Sequence, residues 1–177
     1  MPVAEVSNSI LQKLFADPDA SVFAVLDAAS VPNLLPVLSE SSPEHSCLYL
    51  GTIDPVLAEA APYLVKLQQG VNFTDWVVRE GWGKHWGIFA AAAVPLASLR
   101  HHFRRFLMVK NEGGKSIYFR YYDPRVLRVY LPTCNEGELD VIFGPVQRYV
   151  VEGEDAKTMI EYSRIDRKLV PRAISLV

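Results

Sequence analysis

Residues 118–132 read YFRYYDPRVLRVYLP and set Arg120, Asp123 and Arg125 among aromatic side chains. Arginine forks match the geometry of carboxylates and phosphates, so this segment could hold a small anion. Its local physics offers a second reading. Asp123 stands where a helix N-cap belongs and Pro124 at the first helical position. Before them, Tyr118 and Arg120 share one strand face, and Phe119 and Tyr121 the other. Tyr122 follows at the bend. A buried arginine needs a partner, and Asp123 and Asp27 are the candidates. A strand-to-helix corner locked by an ion pair accounts for every residue here without chemistry. An anion site at Arg120, Asp123 and Arg125 remains the alternative.

The other chemical signals fall away on spacing. GGKS at 113–116 suggests a phosphate loop, but the required glycine five positions before Gly114 is Val109. SIYFRYY after it has a strand pattern rather than a helical one, so a hairpin is expected. His101 and His102 are adjacent, and on a helix they point about 100° apart, which does not suit one metal ion. His45 and His85 have no thiol or carboxylate at ligand spacing. There is no Gly-x-Ser-x-Gly elbow and no thiol-enzyme signature around Cys47 or Cys134. Glu136/Glu138 and Glu152/Glu154 fall in expected turns, where solvated charge is the default. The expectation is therefore no catalytic residue, no metal and no cofactor. Arg100, Arg104 and Arg105 form a basic face on one helix, open to an acidic partner or simply to water.

The elements that must position these residues alternate along the chain. VFAVLD (22–27) is a continuous apolar run, expected of a strand buried on both faces. CLYLG (47–51), PYLVKL (62–67) and WGIFAAA (86–92) are further strand candidates, with short helices at 7–17, 31–41, 54–61 and 72–83 between them. VPLASLRHHFRRFLMV (94–109) has the clearest helical period, with Leu96, Leu99, Phe103, Phe106 and Leu107 on one face. Two strands flank the turn at Asn111-Glu112-Gly113-Gly114, a capped helix covers 123–132, and EGELDVIFGPV crosses to QRYVVEGE. TMIEYSRI reads as one more strand or an edge, and the tail DRKLVPRAISLV is mixed. The class expected is α/β, or its α+β variant: one mixed β-sheet with helices packed on it, in a single compact domain over 1–177.

Composition agrees with a globular chain. Of 177 residues, half are hydrophobic and 21% are charged, with a formal net charge of −2. That balance gives no general attraction to nucleic acid or anionic membranes. The longest apolar run, 86–99, falls short of a membrane span and is broken by Pro95. The first residues carry no basic, apolar leader pattern, and two cysteines form no disulfide framework. A cytoplasmic protein without membrane insertion is expected. Mean hydropathy of +0.10 suits either an aliphatic core or an apolar surface kept for a partner.

An ordered set of motifs runs through the chain: FAVLDAA, LYLG, APYLV, GWGKHWGIF, LRHHFRRFLMV, YFRYYDPRVL and FGPV. It resembles the effector adaptor or chaperone family of bacterial type VI secretion, over about residues 22–146. Residues 147–177 would be C-terminal strands and tail. The resemblance implies a non-enzymatic protein that holds a secreted effector and helps place it on the VgrG or PAAR spike. It implies no catalytic residues. The motif FRYYDPR falls on Phe119, Arg120, Tyr121, Tyr122, Asp123, Pro124 and Arg125, as fold lock or partner contact. Many members of that family continue further. Without such an extension, effector choice is expected to use the core surface or the tail. An immunity protein that plugs a toxin would also be small and non-enzymatic, and stays as an alternative.

Overall fold

The computed structural model describes residues 3–110 and 113–176. Its centre is a seven-stranded sheet in the order β2-β3-β1-β4-β7-β8-β9. The strands are β1 (Ser21–Asp27), β2 (His45–Cys47), β3 (Pro62–Leu67), β4 (Gly87–Ala92), β7 (Val146–Glu152), β8 (Thr158–Ile165) and β9 (Lys168–Ser175). A separate hairpin pairs β5 (Met108–Lys110) with β6 (Ser116–Tyr118). The helices are α1 (Val3–Leu14), α2 (Leu34–Ser41), α3 (Pro55–Ala58), α4 (Asn72–Gly81), α5 (Leu96–Arg104), α6 (Pro124–Tyr130) and α7 (Glu136–Phe143).

The expected sheet with helices packed on it is present. Each strand pair in it is antiparallel, which places the fold at the α+β end of the expectation and leaves the mixed sheet without parallel pairs among the described residues.

The period of two along β1 divides the core. Val22, Ala24 and Leu26 face α1, α2 and α4, where Ile10, Leu14, Leu38, Phe73 and Val77 cover them. Phe23 and Val25 face the opposite layer, built from Leu99 and Phe103 of α5, Leu127 of α6 and Ile142 and Phe143 of α7. A strand covered on both faces needs apolar residues at successive positions. That is why β1 reads as an unbroken hydrophobic run.

Several boundaries differ from the sequence reading, each for a physical reason. The strand expected at 47–51 ends at Cys47. Beyond it the carbonyls of Leu48 and Tyr49, with that of Cys47, accept hydrogen bonds from the Arg104 side chain instead of from a strand. The helix expected over 94–109 covers only Leu96–Arg104. Phe106 and Leu107 continue its apolar period but enter the core from a turn. Residues 136–143, read as a crossing segment, form a helix with a full capping box. The Asn135 side chain accepts from the Glu138 N–H, and the Glu138 carboxylate accepts from the Asn135 N–H. The mixed tail is the edge strand β9. In the hairpin, Gly114 has a φ of 75°, suited to glycine, and Asn111 and Glu112 of the expected turn lie outside the described residues.

Candidate functional site

The corner at residues 119–125 is assembled from three directions. Tyr121 is the anchor: it is fully buried, its ring stacks on Phe103 at 5.7 Å, and its hydroxyl donates to the Phe103 carbonyl at 3.0 Å. Burial pushes its phenol well above the ordinary range. Phe119 leads in from the hairpin, its N–H donating to the Leu107 carbonyl at 2.9 Å and its ring packing edge-on to Tyr130 at 4.7 Å. Asp123 N–H then donates back to the Arg120 carbonyl at 3.0 Å, which closes the turn before α6.

Both arginines of the corner are paired within the chain. Arg120 Nη2 donates to Asp27 Oδ2. Asp27 ends β1, its side chain is only 3% exposed, and it also accepts from the Ala29 N–H at 3.1 Å and the Ser30 hydroxyl at 3.0 Å. The Arg120 side chain is half exposed and lies 5.9 Å from the Tyr122 ring centre. Burial alone would lower the Arg120 pKa, but the Asp27 charge and hydrogen bond outweigh it and raise it.

Asp123 takes the N-cap role expected of it. Its Oδ1 accepts from the Arg125 N–H at 2.9 Å and from Arg125 Nε at 3.0 Å, while Oδ2 accepts from Arg125 Nη2 at 2.7 Å. Burial raises its pKa, and the Arg125 hydrogen bonds and charge more than reverse this, so the carboxyl sits below its usual value. Pro124 is buried at the first position of α6. Asp27 and Asp123 thus divide the two arginines between them, and no guanidinium fork is left facing solvent unpaired at this corner.

The basic face of α5 separates. Arg100 is half-buried and Arg105 exposed, while Arg104 turns to the loop after β2. Its Nε donates to the Leu48 carbonyl at 3.1 Å, and its Nη2 to those of Cys47 and Tyr49 at 3.0 and 3.2 Å.

Arg104 also lies in an apolar groove that the sequence reading missed. Leu50, Ile53 and Leu57 form one wall, Met108 and Tyr118 of the hairpin the other, around a volume of about 270 Å³. Leu50 is 76% exposed and Tyr118 62%. Exposed leucines in a loop carry no periodic signal, so only the tertiary placement of the hairpin brings these side chains together.

A second missed cluster clamps the α4–β4 loop. Glu152, expected to be a solvated turn residue, is buried at the end of β7. It accepts from the Gly83 N–H at 2.5 Å, from the His85 N–H at 3.0 Å and from His85 Nδ1. Arg128 Nη1 donates to the Glu152 and Gly153 carbonyls at 2.6 and 3.0 Å. Among the described residues, no group of three or more His, Cys, Asp or Glu side chains could hold a metal ion. No helix among them is long and apolar enough to cross a membrane.

Comparison with the curated proteins and with the solved structures finds no match. A family model described as a domain of unknown function, DUF4123, matches residues 22–140, from β1 through most of α7. That span contains Asp27, the whole 119–125 corner and the Arg104 groove, so the chain belongs to the DUF4123 family, known as the type VI effector adaptor and chaperone family.

Proposed function

We propose that this protein is a non-enzymatic adaptor that binds a secreted type VI effector in the cytoplasm and promotes its loading onto the VgrG or PAAR spike. Membership of the family over residues 22–140 carries this reading. Two features of the molecule support it. Arg120 and Arg125 are each engaged by a carboxylate of the same chain, which argues against an anion-binding corner. The exposed apolar groove between residues 50–57 and the hairpin is the kind of surface that protein partners cover.

The test is capture of tagged protein from native lysate, with and without the neighbouring effector gene. Recovery of one effector together with spike components is the expected outcome. A protein recovered without a partner would refute the adaptor reading. Deleting the gene should abolish effector secretion without self-killing; self-killing would instead identify an immunity protein.

A further inference from the structure

We propose that the groove at Arg104 docks an apolar segment of the loaded protein that carries a carboxylate. The inference rests on the adaptor reading above and assigns it a surface. Among the described residues that line the groove, Arg104 carries the only formal charge. Its three hydrogen bonds all go to neutral carbonyls, and no carboxylate among the described residues lies within ion-pair distance of it. Its Nη1 makes no hydrogen bond to any described residue. Asp54, which follows the groove residue Ile53, has its carboxylate on the Val56 N–H at 2.8 Å as the cap of α3.

The guanidinium is therefore held in place by carbonyls, with no described carboxylate to neutralise it. Holding it costs the partner little ordering entropy, and an arriving carboxylate finds the two N–H donors of Nη1 already positioned, with Nε and Nη2 spent on the carbonyls. The walls supply the rest of the recognition. Leu50, Leu57, Met108 and Tyr118 are all more than two fifths exposed, and together they form an apolar rim around one cation. At about 270 Å³ the groove is smaller than most small-molecule sites, which run from roughly 300 to 1,000 Å³. It suits a few side chains of a protein segment.

The experiment places a photo-crosslinking residue at position 57, and at the remote exposed position 170 as control, in the full chain in native lysate. Mass spectrometry then maps the adducts. The expected result is an adduct at 57, absent at 170, to a partner segment in which apolar residues flank an Asp or Glu. In parallel, Leu57→Asp and Leu57→Lys are compared in the capture assay. Both remove apolar contact, but Leu57→Asp also repels the carboxylate and should weaken capture at least tenfold more at low salt. That gap should close at high salt. Equal losses, an adduct to a segment without acidic residues, or an adduct to a second copy of this chain would overturn the proposal. Adducts at 170 alone, with capture intact, would overturn the groove and leave the adaptor reading standing. No partner from any position or from the unmodified protein would overturn both.

Discussion

Asp27 and Arg120 stand 93 positions apart in the chain and form an ion pair that ties the end of β1 to the turn before α6. The pair is lopsided. Asp27 is almost wholly buried, whereas Arg120 is half exposed. Removing the arginine strands a buried carboxylate with two neutral donors, while removing the aspartate releases a guanidinium that water can solvate.

Arg120→Met should accordingly destabilise the fold by about 2 kcal/mol, below the 3–5 kcal/mol typical of fully buried pairs because water reaches one partner. Asp27→Asn keeps an oxygen for the Ala29 N–H and should cost less. The double variant should cost less than the two single losses added. Urea unfolding of all three checks this, and strictly additive losses would show that the two side chains act independently.

Asp123 gives the corner a pH dependence. Its carboxyl pKa is held below the ordinary value once the Arg125 hydrogen bonds and charge outweigh burial. A depressed folded-state pKa contributes stability that is fully present above the unfolded value, about 4 for aspartate, and is lost as pH falls through the folded value. Asp123→Ala should therefore cost about 1 kcal/mol at pH 7 through the lost cap. Its deficit relative to the parent protein should shrink below pH 4. A deficit constant down to pH 2.5 would show that the charge contributes nothing and the cap acts as a neutral acceptor.

How much of this was legible depended on whether a residue's role was local or tertiary. Asp123 and Pro124 announce a helix start by type and position, and the structure places them there. The apolar run of β1 announces double burial. The pairing of Arg120 with Asp27 was open between two aspartates, because the contact joins positions 93 apart and depends on Tyr121 being seated on Phe103 in the core. The α7 capping box is readable from Asn135 and Glu138, but an acidic pair at 136 and 138 reads equally well as solvated turn charge. The β8–β9 hairpin was not readable. Its two-residue turn places Asp166 and Arg167 at φ 49° and 63°, where Asn-Gly is the usual signal. Glu152 likewise looks like surface charge until Gly83 and His85 are brought against it.

Glu152→Gln tests that clamp. The carboxylate accepts from three donors, and an amide offers one acceptor oxygen and two donors in its place. At least one of these partly buried N–H groups then loses its partner, at about 1 kcal/mol because water reaches the loop. Hydrogen exchange at the Gly83 and His85 amides should accelerate more than exchange in β1. Unchanged protection at both amides would mean that the loop is held by its other contacts, such as the 2.9 Å Trp82 indole bond to the Ala156 carbonyl, and not by the carboxylate.

Gly87 is the position where one methyl group should be decisive. It opens β4 opposite Leu26, and a Cβ there would lie 2.1 Å from the Val25 carbonyl oxygen and 3.0 Å from the Leu26 Cα. Those atoms belong to the backbone of the central strand, which is bonded on both sides and cannot step back. The β1–β4 contact also sets where Asp27 ends up, so strain here reaches the Arg120 corner. Gly87→Ala should destabilise by at least about 3 kcal/mol, the upper end of overpacking costs. Gly137→Ala is the contrasting change: it sits in the first turn of α7, its nearest neighbour would be Asn135 Oδ1 at 3.4 Å, and helix propensity favours alanine by up to about 1 kcal/mol. Thermal melts should move in opposite directions for the two variants. A Gly87→Ala protein that melts like its parent would show that β4 can shift away from β1, and that the register does not fix the corner.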